Sequence, residues 1–166
     1  MPGRPHLTTR TAGLLASLLL LTGLTACGGP VEVDAPDLDE ADAAACARFV
    51  DGLPATLAEE DRVEVEPADA PAAAYGDPPI VVTCGVDEPD GFGPGASCEV
   101  ADKARWYIPA DEYGDQPTQI TLTAAWSRPR VRVVIPQDYW PDATAAVMAQ
   151  LAPLVLELRT VGGKCL

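Results

Sequence analysis

Histidine, serine and lysine, on which most acid–base and nucleophilic catalysis depends, are scarce in this sequence. The only histidine, His6, lies in an N-terminal segment that has the features of a signal peptide. Removal of that segment leaves no histidine, which excludes Ser-His-Asp and Cys-His catalysis and histidine metal sites. Ser97 and Ser127 are then the only serines, and neither forms a recognisable motif with Lys103 or Lys164. We predict no catalytic residues, and the composition favours a protein that is not an enzyme.

Carboxylates and arginines are the remaining side chains that could form a site. Two carboxylates suffice for glycoside hydrolysis, so a carboxylate-based envelope hydrolase is an alternative, but 25 acidic residues make chance pairs certain. The acidic loop 87–91 lacks the ligand spacing of a calcium loop, so no metal and no cofactor are predicted. Arg128, Arg130 and Arg132 form the only basic cluster. They are either an anion-binding site or a solvated face that pairs with cross-strand acids, and the second interpretation is favoured.

Residues 1–26 are predicted to be a signal peptide. Arg4 and Arg10 precede a mostly apolar run over residues 12–24, which is too short to span a bilayer as a mature helix. The run ends in a lipobox over residues 24–27, so the chain would be cut before Cys27 and diacylglycerol attached to its thiol. Two acyl chains, such as palmitate, suffice for stable anchoring at the outer face of the cytoplasmic membrane. The alternative is an ordinary signal peptide cut after Ala26.

The charge of the mature chain limits its partners. Cleavage removes two arginines and no acid, which leaves nine basic side chains, 25 acidic ones and a net charge of −16. Such a chain does not attract nucleic acid or an anionic lipid surface. The predicted partners are therefore the membrane, through the lipid on Cys27, and an envelope protein or ligand that the sequence does not identify. A binding or accessory module of the cell envelope fits best, with a structural partner-binding protein as a further alternative.

Hydrophobic periodicity predicts the elements of the domain. An acidic, disordered tether over 27–40 precedes a single α+β domain over 41–166. Apolar residues at helical spacing predict a helix at its start, alternation predicts strands, and a proline-rich segment predicts a loop. The segments are Ala41–Leu53 (helix), Pro67–Pro79 (loop), Ile80–Val86, Cys98–Ile108, Gln119–Trp126 and Arg130–Pro136 (strands), and Asp142–Leu158 (helix, kinked at Pro153). We expect one antiparallel sheet of three to five strands with both helices packed on one face.

Four cysteines follow Cys27, and an even number in an exported chain predicts two disulfides. Loop-closure entropy does not distinguish the pairings, because the two main alternatives both sum to about 8 kcal/mol. Cys46 lies in the apolar stripe of the first helix and Cys84 on the apolar face of the central strand. We therefore predict Cys46–Cys84 and Cys98–Cys165, and the alternative is Cys84–Cys98 with Cys46–Cys165.

Three segments together indicate a family: Cys46–Pro54, Ala74–Val86 and Trp126–Pro136. They resemble an actinobacterial family of exported proteins and lipoproteins, the domain of unknown function 3515 family. The most specific match is Gly76–Gly85, in which two prolines, Ile80 and Val81 precede Cys84. The resemblance covers roughly Cys46–Leu158 and implies an envelope lipoprotein without assigned catalytic residues. The family pattern has cysteines at the positions of Cys46 and Cys84, so Cys98 and Cys165 are an addition in this chain.

Overall fold

The computed structural model describes residue 1, residues 29–113 and residues 119–163, and this part of the chain is mostly sheet with two α-helices. Residues 2–26 of the predicted signal peptide and the predicted lipidation site Cys27 lie outside these residues. The helices are α1 (Glu40–Asp51) and α2 (Asp142–Glu157). The strands are β1 (Val31–Glu32), β2 (Thr56–Leu57), β3 (Glu60–Val63), β4 (Val65–Glu66), β5 (Ala72–Tyr75), β6 (Ile80–Cys84), β7 (Glu99–Ala101), β8 (Ala104–Trp106), β9 (Gln119–Thr123), β10 (Ser127–Arg128), β11 (Val131–Pro136) and β12 (Arg159–Thr160). No helix among the described residues is long and apolar enough to span a membrane.

The central sheet has six antiparallel strands in the order β2-β3-β5-β6-β11-β9. The strand predicted from Ile80 is β6, and Val82 pairs with Ala73 on β5 and Val133 on β11. The strands predicted over Gln119–Trp126 and Arg130–Pro136 pair with each other as β9 and β11, with Leu122 opposite Val133. Three two-stranded sheets accompany it in the described chain: β1 with β4, β7 with β8, and β10 with β12.

The prediction of one sheet with three to five strands is wrong. The segment Pro67–Pro79, predicted as a loop, contains β5, whose four residues are all buried. Three of them are alanines, which have low strand propensity, but small side chains fit a strand covered on both faces. β3 carries little apolar strand signal, because it is a charged and mostly exposed strand near the sheet edge.

Both helices pack on one face of the central sheet. Cys46 and Phe49 of α1 and Val147 and Leu151 of α2 join one core with the alternate residues of the strands. The other face of the sheet, called the back face here, carries the intervening residues. α2 continues as one helix through Pro153, and the kink predicted there stays a prediction. Pro153 itself is exposed. The carbonyl that Pro153 leaves without a helical partner can therefore be solvated.

The described residues contain one disulfide, Cys46–Cys84, with the two Cα atoms 5.5 Å apart. This pairing confirms the prediction that the first helix and the central strand direct their sulfurs into the same core. The prediction of two disulfides is not supported, because its second pair includes Cys165, which lies outside the described residues. Cys98 packs against the cluster formed by Tyr107, Ala125 and Trp126.

The described part of the predicted tether is not a free chain. Residues 29–39, called the N-terminal strap here, lie against the domain: Val31 pairs with Val65, and Leu38 packs on the core. Asp39 then caps α1, its side chain accepting a hydrogen bond from the N–H of Asp42 at 2.8 Å. The acidic composition that predicted disorder is compatible with this arrangement, because the carboxylates of the strap remain largely at the surface while Leu38 is partly buried.

Candidate functional site

A cavity of about 820 Å³ lies on the back face of the central sheet. The strap forms one wall through Asp34–Pro36, the loop 86–91 forms a second, and the segment 107–112 forms a third. The strands β6, β9 and β11 contribute Thr83, Thr121, Thr123 and Arg132 to its lining, and these four residues are called the floor here. The volume lies within the range of small-molecule sites.

Strand register brings the floor residues together. Arg132 on β11 lies directly opposite Thr83 on β6 and Thr123 on β9. Its neighbours Val131 and Val133 are fully buried in the core. Because side chains alternate along a strand, Arg132 projects to the back face with the two threonines.

Two floor atoms have no hydrogen-bond partner among the described residues: Arg132 Nε and Thr123 Oγ1, both of which are buried. Thr123 as a whole is only 1% exposed. A buried polar atom without a partner costs about 1–3 kcal/mol, and more when it belongs to a charged group. The floor therefore offers an unused cationic donor beside an unused hydroxyl.

Six carboxylates surround the floor, and they are called the rim here: Asp34, Asp87, Glu88, Asp90, Asp111 and Glu112. Two of the rim carboxylates are engaged within the protein. Glu88 forms a salt bridge with Arg130, and Glu112 accepts a hydrogen bond from the backbone N–H of Thr121. The other four rim carboxylates form no hydrogen bond or salt bridge with a described residue. The cavity therefore has a strongly acidic entrance above a single guanidinium.

The predicted arginine cluster is divided by the fold. Arg128 and Arg130 both approach Glu88, Arg128 at 3.9 Å, and both donate to the carbonyl of Ala125. Burial lowers the pKa of Arg130, and the charge of Arg128 lowers it further, while Glu88 opposes both effects. Arg132 alone lines the cavity. Arg128 and Arg130 thus share an ion pair with Glu88, which lies in a loop, whereas Arg132 forms no salt bridge with a described residue. Anion binding by the cluster stays a prediction.

Aromatic packing holds the loop wall in place. Phe92 meets the rings of Tyr107 and Trp126 edge to face, with centroids 5.5 and 4.8 Å away. The hydroxyl of Tyr107 donates to the carbonyl of Asp90 at 3.0 Å. Burial, followed by the charges of nearby acids, raises the pKa of Tyr107, so this hydroxyl remains a donor at neutral pH. The loop that carries half of the rim carboxylates is therefore fastened at both Glu88 and Asp90.

The chemistry available here is binding of a polar ligand. No group of three or more metal-ligating side chains that could hold an ion is present among residues 29–113 and 119–163. The sequence identified Arg132 but not its threonine partners or the strap, because cross-strand neighbours depend on register. The alternation of Thr121 and Thr123 opposite an apolar face was the one sequence signal for the floor.

A comparison with models of protein families identifies the family of the chain. Residues 11–158 match a family model described as "Protein of unknown function (DUF3515)". Comparisons with curated proteins and with solved structures find no match. The matched segment includes the strap, the floor and both cysteines of the disulfide. The chain belongs to the DUF3515 family.

Proposed function

We propose that the mature protein is a lipid-anchored ligand-binding module of the cell envelope, on the outer face of the cytoplasmic membrane. The observation that carries the binding role is the back-face cavity, whose floor presents Arg132 Nε and Thr123 Oγ1 without protein partners. Protein cores rarely leave such atoms unsatisfied, and the exceptions call for an explanation. A bound polar ligand would supply the missing hydrogen bonds.

The predicted lipobox supports lipid anchoring at Cys27. The strap follows Cys27 in the sequence and forms one wall of the cavity. Val31, which is paired in a sheet, lies four positions after Cys27. A fully extended chain spans at most about 3.6 Å per residue, so the four steps from Cys27 to Val31 reach about 14 Å. The predicted tether would therefore be short, and the strap wall of the cavity would lie close to the membrane surface.

Substitution Cys27→Ser tests the anchor. We expect the variant to move from the membrane fraction to the soluble or secreted fraction, because the net charge of −16 provides no second attachment to an anionic surface. Ser17→Ala, within the same N-terminal segment, is the control and should stay in the membrane fraction. Continued membrane association of Cys27→Ser would contradict lipid anchoring.

Native mass spectrometry tests the binding role. The mature protein, extracted in detergent and incubated with small molecules from the envelope, should retain one or more of them. Arg132→Gln should lose this retention, whereas Arg48→Gln, on the exposed side of α1, should keep it. Equal retention by wild type and Arg132→Gln would contradict a binding role for the cavity.

A carboxylate-based hydrolase is the second candidate, because several carboxylates line the same cavity. Paired carboxylates about 5–10 Å apart perform glycoside hydrolysis. Turnover of envelope glycans by the wild type, abolished by Asp87→Asn or Asp111→Asn, would favour this activity. Binding without turnover would favour the binding module.

A further inference from the structure

We infer that the back-face cavity binds a zwitterion with one carboxylate and at least one ammonium group beyond it, either a basic amino acid or a short basic peptide with a free C-terminus. This inference rests on the proposed binding function and specifies its ligand. The strands of the sheet provide the carboxylate end of the site, and the rim provides the ammonium end.

The carboxylate end is Arg132 with the two threonines opposite it on neighbouring strands. A guanidinium presents donors in a fixed fork that matches the two oxygens of a carboxylate. Arg132 Nε has no partner among the described residues, so it can donate to a ligand without breaking a protein contact. Thr123 Oγ1 is likewise unpaired and lines the same cavity, and a hydroxyl can donate to the same anionic group.

The ammonium end is the rim. Four rim carboxylates, those of Asp34, Asp87, Asp90 and Asp111, have no hydrogen bond or salt bridge with a described residue. The single guanidinium on the floor cannot neutralise four carboxylates, so the residues that line the cavity carry a net negative charge. Ammonium groups on the ligand would neutralise the remainder, and each would gain more in this partly enclosed space than in bulk water.

The same balance of charge disfavours other ligands. Inorganic phosphate would satisfy Arg132 but would bring about two negative charges among the rim carboxylates, which repel it. A polyamine would satisfy the rim but would leave Arg132 Nε and Thr123 Oγ1 unpaired. A ligand with both kinds of group satisfies both ends of the site.

Calorimetric titration of the mature full-length protein tests the inference. The probes are L-lysine, the dipeptide lysyl-alanine, its C-terminal amide, alanyl-alanine and inorganic phosphate. We expect the free acid of lysyl-alanine to bind at least tenfold more tightly than its amide, because a charge-assisted hydrogen bond contributes about a tenfold to hundredfold change in affinity. Lysyl-alanine should also bind more tightly than alanyl-alanine, since the lysine side chain adds an ammonium group.

Three variants test which residues cause the preference for the free acid over the amide and the preference for lysyl-alanine over alanyl-alanine. Arg132→Gln should bring the ratio between acid and amide close to one, and Arg132→Lys should keep part of it because the charge remains. Asp90→Asn should reduce the ratio between lysyl-alanine and alanyl-alanine. Arg48→Gln, the matched exposed control, should change neither ratio. L-lysine binding more tightly than the dipeptide identifies a free amino acid as the ligand, and the reverse identifies a peptide terminus.

Several outcomes would overturn the inference. Equal affinities of acid and amide for the wild type, or phosphate binding more tightly than lysyl-alanine, would exclude a zwitterion held at Arg132. Failure of every lysine-containing probe, while envelope molecules are still retained through Arg132, would overturn the ligand class and leave the binding function intact. If no lysine-containing probe binds and no envelope molecule is retained through Arg132, both the ligand class and the binding function are overturned.

Discussion

Replacing Cys46 and Cys84 by alanine, singly and together, should show that one cross-link carries a large part of the stability. The bridged residues are 38 positions apart, and the chain-entropy relation gives about 4 kcal/mol for a loop of this length. Both cysteines are fully buried, so each truncation adds a cavity cost on the order of 1 kcal/mol. We expect a cost of about 5 kcal/mol for each single variant and about 6 kcal/mol for the double variant.

Urea unfolding of the mature protein, followed by tryptophan fluorescence, measures these free energies. Trp106 is fully buried, so its emission should change when the core opens. The single variants should also melt about 10 to 15 °C below the wild type, since 1 kcal/mol corresponds to about 3 °C in a domain of this size. Val147→Ala, which truncates a buried side chain of α2 without removing a cross-link, is the control and should show a truncation cost alone.

The double-mutant cycle decides whether the reasoning holds. If the two sulfurs act through one bond, the single costs sum to about 10 kcal/mol against about 6 for the double variant, a coupling energy of about 4 kcal/mol. A coupling energy below about 1 kcal/mol would refute the entropic argument, because it would mean that the loss of each sulfur acts only through local packing.

Two further predictions concern the strap and a tyrosine near the cavity. Gly85 has a φ of +90°, and a Cβ there would collide with Leu38, so Gly85→Ala should destabilise the domain by more than about 1 kcal/mol and should expose the strap to limited proteolysis. Gly93→Ala, where a Cβ meets nothing within 4 Å, should stay within about 0.5 kcal/mol of wild type, and equal effects of the two substitutions would contradict this packing. Burial, and then its hydrogen bond to Glu99, raise the pKa of Tyr113 from 10.0 to about 12. The contribution of this neutral phenol to stability is complete below about pH 10 and is lost as the pH rises towards 12. Phenolate absorbance should lose one late-titrating group in Tyr113→Phe, and an unchanged number of late-titrating groups in that variant would assign the shift elsewhere.

The elements that could be predicted from the sequence are those whose pattern is local. Alternation of apolar and polar residues identifies β9 and β11, and the spacing from Cys46 to Phe49 places one face of α1 on the core. The Cys46–Cys84 pairing follows from the same reasoning, because each cysteine lies on the apolar side of its element. In each case the residues that decide the structure lie within one or two turns or strands of each other.

The remaining elements depend on residues that are distant in sequence. β5 is a strand because it lies between β3 and β6, and its alanines carry no strand signal of their own. The acidic strap is ordered because Val31 finds Val65 and Leu38 reaches the core beside Gly85.

The residues of the cavity also divide into features that the sequence determines and features that depend on the tertiary structure. The sequence alone determined that the chain is strongly acidic, that its one histidine is His6, and that three of its eleven basic residues lie between positions 128 and 132. Only the tertiary structure decided that Arg130 is paired with Glu88 while Arg132 is not, because Arg130, just before β11, and Arg132, within β11, meet different neighbours. Strand register sets those neighbours by placing Thr83 and Thr123 beside Arg132, and register is a property of the assembled sheet.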